Sequence, residues 1–358
     1  MVVPWRDDSW FLGGAVLEPG RGGIARVARM TARALIEEGA VTRMATLLDS
    51  QSFDVAGQSS RSCGGSKLRF AVRCHAEALR ADRAIYDAVG PARAQPRLPG
   101  LRRPYGVWIH GVEVWDSLSA ERERALKAAD FVLVNSQFTL DRFQELHFQL
   151  DNAHVCRLAT EEDVAPKLPD APSGPPTALL IGRSDKNNFR KGHAEVITAW
   201  EYVVDSIPEA ELLLVGGGDG LDMLRELVAA SPASNRIRVM GFVPEEEMPN
   251  LWARSDAFVQ PSWKEGFGLV YIEAMRHGLP VIASRQDAGQ EVNVDGETGY
   301  NVDLVDKVAL AERIVELLSD QERAIRMGDA GRARWEEHFR FSVFRERLAH
   351  ILDHVTET

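Results

Sequence analysis

The sequence predicts an α/β protein of two Rossmann-like, doubly wound parallel-sheet domains facing a cleft, with helices closing the chain. Three observations carry this expectation. A length of 358 residues suits two domains with a core each. Short, continuous apolar runs alternate with helical stretches, the pattern of βαβ units whose strands are covered on both faces. A proline-rich interval divides the chain: "ATEEDVAPKLPDAPSGPPT" (159–177) has five prolines and almost no large apolar residue, as a linker does. The expected divisions are a first domain over 1–165, a linker over 166–176, a second domain over 177–338, and a final helix over 339–358 packing back toward the first domain.

The second half is the more regular. Strand-like "ALLIG" leads to helical "HAEVITAWEYVVDSI", and "ELLLVG" leads to "GLDMLRELVAA". Then come "RIRVMG", a helix over "PEEEMPNLWARS", the strand "AFVQP", a helix from about Leu269 to His277 and the strand "PVIAS". Gly278 stops that last helix, and Pro280 opens the strand after it. Two helices over about 304–338 follow. The first half reads as a helix over "GGIARVARMTARALIEEG", strands "AIYDAV" and "GVWIH", the helix "SAERERALKAA", the strand "FVLVN" and the helix "SQFTLDRFQEL".

Composition narrows the function. Apolar content of 45% and charged content of 27% are those of a water-soluble globular chain. No run of eighteen apolar residues and no signal-peptide pattern occurs. Cys63, Cys74 and Cys156 lack CxxC spacing and are odd in number, which argues against a disulfide framework or a zinc site and for a reducing cytoplasm. A net charge of −11 argues against nucleic acid as a partner. The charge is uneven: Arg61 to Arg103 holds ten basic residues against three acidic ones, Glu77, Asp82 and Asp87. That stretch is either a solvated basic face or a surface for an anionic membrane or phosphorylated acceptor.

In doubly wound sheets, ligands gather at the carboxyl ends of strands, against helix N-termini. Three places answer that rule. In "LLIGRSDKNNFRKGHAEVI", Arg183 follows a strand and Lys191 precedes a helix. A cation there opposes the helix dipole unless an anion lies between them, so a pyrophosphate held by both residues is the functional reading, and two solvated cations the plain one. In "PSWKEGFGLVYIEAMRHGLPVIAS", the amides of Phe267, Gly268 and Leu269 open a helix, with Glu265 before it and Glu273 inside it. Apolar neighbours make Glu273 a buried carboxylate, satisfied either by Arg276 three residues on, worth about 0.2–0.5 kcal/mol on an exposed helix, or by a ligand. Two carboxylates among helix amides suit a ligand bearing both phosphate and vicinal hydroxyls, such as a nucleotide sugar. In the first half, Gly22 and Gly23 allow close backbone approach at a helix start, and His110 ends the strand "GVWIH".

Together these motifs resemble glycosyltransferase family 4, the retaining enzymes of GT-B fold. "EGFGLVYIEAM" matches the family's E-x7-E signature, "GR…RKGH" its Arg/Lys pair, "PGRGGI" its glycine loop and "HGVE" its histidine motif. The resemblance implies that Arg183 and Lys191 bind the donor diphosphate, and that Glu265 with the Phe267–Leu269 backbone holds the sugar hydroxyls. It also implies that Glu273 takes the ribose, that backbone near Phe242 and Val243 meets the base, and that His110 lies beside the transferred sugar. Gly22 and Gly23 complete the donor site, with His110 and Glu265 as the catalytic pair. The acceptor, a carbohydrate or lipid-linked molecule, falls to the first domain. Two departures stand out. "MVVPWRDDSWFLGGAV" is not the usual short strand followed at once by glycines, and Gln290 in "DAGQEVNVDGETGYNV" stands where proline is common.

The implied reaction is same-face transfer, with the leaving phosphate helping to take the acceptor's proton. No cofactor is implied, and no D-x-D occurs in the chain, which fits an enzyme needing no metal. His350 and His354 in "HILDH" share a helix face at the chain's end, a surface coincidence rather than a metal pair. The rivals are an epimerase or phosphorylase of the same fold, a dinucleotide oxidoreductase and a protein that binds a nucleotide sugar without turnover. For the oxidoreductase, "LLLVGGGDG" fails the G-x-G-x-x-G spacing at Leu221. The expected setting is cytoplasmic, with peripheral contact at the membrane's inner face through Arg61–Arg103.

Overall fold

The computed structural model describes residues 5–98, 100–167, 174–186 and 190–357. Residues 168–173 of the proline-rich interval and 187–189 of the "KNNFRK" stretch lie outside the described residues. The chain forms two compact units, one of Met1–Glu161 with Phe341–Thr358 and one of Glu162–Arg340.

The first unit carries strands β1 (Ser9–Gly14), β2 (Val41–Thr46), β3 (Asp54–Val55), β4 (Gln58–Ser59), β5 (Arg61–Ser62), β6 (Arg83–Tyr86), β7 (Tyr105–Ile109), β8 (Phe131–Val134) and β9 (Ala153–Val155). Seven of them form a sheet in the order β5-β2-β1-β6-β7-β8-β9, and β3 pairs with β4 as a separate hairpin. All pairings in the large sheet are parallel. Every residue of β7 and β8 is buried, which is why "YGVWI" and "FVLV" are continuously apolar. The opening segment, irregular as sequence, is an interior strand, third of the seven. Its Gly13 faces the Tyr86 ring, where a Cβ would lie 2.5 Å from the ring edge. The chain's last helix, Phe341–Glu357, belongs to this unit. There Phe344 stacks on Trp108 at 6.2 Å, and the Arg33 guanidinium covers the Phe341 ring at 3.7 Å.

The second unit carries β10 (Thr177–Ile181), β11 (Glu211–Val215), β12 (Ile237–Gly241), β13 (Ala257–Val259), β14 (Val281–Ser284) and β15 (Gly299–Val302), in the order β12-β11-β10-β13-β14-β15. These pairings too are all parallel. In each unit the strand order reverses at the first strand, between β1 and β6 and between β10 and β13, which is where doubly wound sheets open a crevice. The helix expected from Pro244 begins later, at Met248. Glu247 N–H closes a turn onto the Pro244 carbonyl, and Pro249 enters the first helical turn, where its missing N–H costs nothing. Among the strands that the periodicity does not announce are "VTRMAT", which Arg43 and two threonines interrupt, and "GYNV", which is short. Among the described residues no helix is long and apolar enough to cross a membrane.

Candidate active site

The loop after β10 and the loop after β13 are neighbours because those strands pair. Gly192, in the left-handed conformation (φ 80°), begins the helix His193–Ser206, and a Cβ on it would lie 2.0 Å from the Pro261 carbonyl oxygen. The two loops touch backbone to backbone there. Next to that contact, Trp263 N–H and Ser262 Oγ both donate to the Arg190 carbonyl, at 2.8 and 2.7 Å. The Lys191 stem lies against Gly182, where a Cβ would meet its Cβ and Cγ at 3.0 Å.

So held, Lys191 Nζ donates to Glu265 Oε2. The lysine side chain is 31% exposed and the carboxylate 16%, so the pair is partly withdrawn from water. Lys191 and Glu265 were expected to serve different parts of a ligand; the fold joins them across 74 positions of sequence. Arg183, on the same loop as Lys191, is exposed and paired with Asp185 at 3.0 Å.

Glu265 is fixed by a residue the sequence reading missed. Its N–H donates to Asp287 Oδ2 at 2.9 Å, its carbonyl accepts from Ala288 N–H at 3.1 Å, and Asp287 Oδ1 accepts from Gly289 N–H at 2.9 Å. Burial foremost, and then the charge of Glu265, push the Asp287 carboxyl up to about 8. In the unfolded chain an aspartate titrates near ~4. Between those values the folded state holds a proton that the unfolded state does not, so stability falls as pH rises across the window. The melting temperature is expected to decline between about pH 5 and about pH 8. Asp287→Asn should lessen that slope in a calorimetric pH series without removing it, because buried Asp87, pushed up to about 7, acts in the same sense. An unaltered slope in the variant would show that Asp287 is ionised throughout.

The helix Leu269–Arg276 starts beside this cluster. Gly268 (φ 95°) precedes it with no side-chain cap, and a Cβ there would fall 2.2 Å from the Tyr271 ring. Tyr271 in turn donates its hydroxyl to the Gln260 carbonyl at 2.7 Å. Phe267 and Gly268 are buried and Leu269 half-buried, so the helix's opening amides are locked by packing. Glu273 is half-buried, not fully buried as its apolar neighbours suggested. Arg276, the alternative to a ligand as partner of Glu273, bonds the Val164 carbonyl at 2.8 Å and approaches Glu162 at 3.4 Å.

Phe242 follows β12 and is 74% exposed; Val243 is half-buried. Phe242 stands over the glycine loop after β11, its Cβ 3.5 Å from where a Cβ on Gly217 would be. The glycines of "GGGDG" have a packing purpose. At Gly216 and Gly218 a Cβ would lie 2.1 Å from the carbonyl oxygens of Gly182 and Ser184. They let the loops after β10, β11 and β12 close on one another. Gln290, where proline is common, donates to the Arg285 and Asp287 carbonyls, both at 3.1 Å.

In the first unit, Gly22 (φ 94°) precedes the helix Gly23–Glu37, and Gly22 and Gly23 are exposed with open space around Gly22. His110 is half-buried and stacked on Trp108, with its Nε2 2.6 Å from the Asp87 carbonyl and its N–H on Glu113. Asp87 Oδ2 also accepts from Ala15 N–H at 2.7 Å, so one aspartate ties together the loops after β1, β6 and β7.

Two parallel-sheet units, the second with a cation–carboxylate pair beside helix N-termini, have the architecture that the GT-B resemblance implies. The family profile "Glycosyl transferases group 1" matches residues 163–334. The chain is 32% identical over 264 residues to the GDP-mannose-dependent monoacylated alpha-(1-6)-phosphatidylinositol monomannoside mannosyltransferase of Corynebacterium glutamicum, covering 68% of each chain. It is 29% identical over 263 residues, again 68% of each, to the GDP-mannose-dependent alpha-(1-6)-phosphatidylinositol monomannoside mannosyltransferase of Mycolicibacterium smegmatis. Among solved structures, sucrose-phosphate synthase from Thermosynechococcus elongatus superposes with a TM-score of 0.83 at 22% identity, covering 98% of this chain and 99% of that one. Anabaena Alr3699/HepE in complex with UDP and glucose superposes with a TM-score of 0.80 at 18% identity, covering 97% and 100%. The chain belongs to the group 1 glycosyl transferases and is an enzyme of the hexosyltransferase type.

Proposed function

We propose that this enzyme transfers mannose from GDP-mannose to a lipid-linked acceptor with retention at the anomeric carbon and without a metal ion. The observation that carries the reading is the Lys191–Glu265 pair beside the uncapped helix start at Gly268. A diphosphate entering here meets Lys191, Arg183 on the same loop and the helix's positive end, all favouring the charge that grows on the leaving group. Those fixed positive groups support a reaction that calls for no cation. Glu265 accepts sugar hydroxyls, Glu273 the ribose hydroxyls, and Phe242 with Val243 flanks the base. In the first unit, His110, Gly22 and Gly23 are the residues that the family resemblance assigns to the transferred sugar and the donor. The names of the two relatives support mannose and guanosine as the donor's parts and a phosphatidylinositol glycolipid as the acceptor class. The three free, buried cysteines support a reducing, cytoplasmic setting.

Incubation with GDP-mannose or UDP-glucose, with and without phosphatidylinositol or its mannoside, tests this reading. The expected outcome is transfer from GDP-mannose only when lipid is present, an α-linked product by NMR, and the same rate in excess chelator. A free epimerised sugar nucleotide would make the protein an epimerase, and a phosphate requirement a phosphorylase. A β-linked product would overturn retention, and loss of turnover in chelator would overturn metal independence.

A further inference from the structure

The carboxyl of Asp287 lies out of water, between main chain and an aromatic ring. The residue is fully buried, which denies it a solvent shell. Its two oxygens accept from the Glu265 and Gly289 N–H groups, each at 2.9 Å. A Cβ on Gly289 would fall 3.0 Å from Asp287 Oδ1 and 2.8 Å from the Tyr271 ring, so the carboxyl and the ring pack on either side of that glycine.

Three ionisable side chains act around it. Glu265, from the loop after β13, is a second carboxylate, and Lys191, from the loop after β10, is a cation. Tyr271, on the helix Leu269–Arg276, is held well above the usual phenol range, by burial foremost and then by the two carboxylates, and stays neutral. The short helix Gly289–Val292 offers the neutral Gly289 N–H and the Gln290 amide, which bonds the Asp287 carbonyl. Two carboxyl groups that act on one ammonium, partly withdrawn from water, are most stable when they share a proton. Glu265 has the ammonium in direct contact, so the proton falls to Asp287.

A diphosphate shifts that balance in one direction. It brings negative charge, and it competes with Glu265 for Lys191. The ammonium favours the ionised form of Asp287, so an anion that draws it away strengthens the hold of Asp287 on its proton. We propose that Asp287 is a positioning residue that couples donor binding to a proton: as the diphosphate engages Lys191, Asp287 takes a proton from the buffer and keeps Glu265 in place as an ionised acceptor of hydroxyls. This rests on the reading above that a nucleotide sugar binds beside Lys191, and it adds how that site responds to pH. One proton moves, and no bond between heavy atoms forms or breaks. Burial and Glu265 place the titration of the free enzyme at about 8. Donor affinity is therefore level below that range and falls as pH rises through it.

The test is isothermal titration of the full-length protein with GDP-mannose at about pH 8.5, in two buffers of unlike ionisation enthalpy. Wild type should take up about half a proton for each GDP-mannose bound, read from the difference in heat between the buffers. Its affinity should fall about threefold or more between about pH 7 and about pH 9. Asp287→Asn, whose amide oxygen keeps one of the two N–H bonds, should bind with neither the uptake nor the fall. A residue that merely supported Glu265 would change affinity on substitution without moving a proton. If the variant does not fold, the wild-type heats decide alone. GDP-mannose binding with the same heat in both buffers would overturn the proposal and leave the donor reading standing. Equal uptake in Asp287→Asn would also overturn it, placing the proton elsewhere. Pyrophosphate that binds with Asp287-dependent uptake, in a protein that ignores GDP-mannose, would sink the donor reading and leave this one standing.

Discussion

Lys191→Ala is expected to lower kcat/KM for the donor by roughly a hundredfold to a thousandfold, the scale found when one preorganised charge-stabilising donor is removed. The reason lies in the pairing. Lys191 is held by Gly182 on its stem and by Glu265 at its tip, so its ammonium needs no reorganisation when negative charge develops nearby. Its loss also leaves Glu265 partly buried beside Asp287, both acidic and now without the cation. Glu265→Gln should therefore be costly alone yet add little to Lys191→Ala, the non-additivity of two residues that act as a unit. Glu273→Gln belongs to a different group and should weaken binding of the nucleotide with a smaller change in kcat. Steady-state kinetics of the four proteins and of the double variant decide this. Strictly additive losses for Lys191 and Glu265 would mean that their contact is incidental, and equal behaviour of Glu265 and Glu273 would undo the division of roles.

Gly192→Ala should also damage activity, less severely and for a reason that involves no chemistry. Alanine at φ 80° costs about 1–2 kcal/mol on conformational grounds. Its Cβ would in addition lie 2.0 Å from a backbone oxygen, that of Pro261, which no side-chain rotation can relieve. One of the two loops must move, and with it either Lys191 or the segment leading to Glu265. Gly296→Ala is the control. Gly296 has a similar φ of 78° in the same unit, but a Cβ there meets nothing within 4 Å. Both variants should lose stability by thermal denaturation, while only Gly192→Ala loses turnover, by about tenfold or more. Equal loss of turnover in both would place the effect in global stability rather than in the register of the two loops.

Much of this was legible in the chain itself. Apolar runs such as "ELLLV" and "FVLV" announce strands covered on both faces, and amphipathic stretches between them announce helices, because each signal is a property of a few adjacent residues. "EGFGLVYIEAM" and "GR…RKGH" marked the positions around which the second unit's candidate site is built, since a carboxylate or a cation at a helix start is anomalous without a ligand. "VTRMAT" was harder to read, because a polar-interrupted strand looks the same in sequence whether it joins a sheet or not.

By itself the sequence determined that there are two α/β units and which side chains are chemically out of place in them. Only the tertiary structure decided which of those side chains meet. Lys191 reaches Glu265 because β10 pairs with β13 rather than with some other strand, an ordering that depends on how all six strands pack. Asp287 becomes a buried, proton-holding support for Glu265 for the same reason: β14 brings its following loop under the loop after β13. On the helix Lys67–Glu77, likewise, Leu68 and Val72 are left exposed because Phe70 and Cys74 are the residues facing the core. Periodicity limits what a helix can bury, but the neighbours it packs against select which face is left to the solvent.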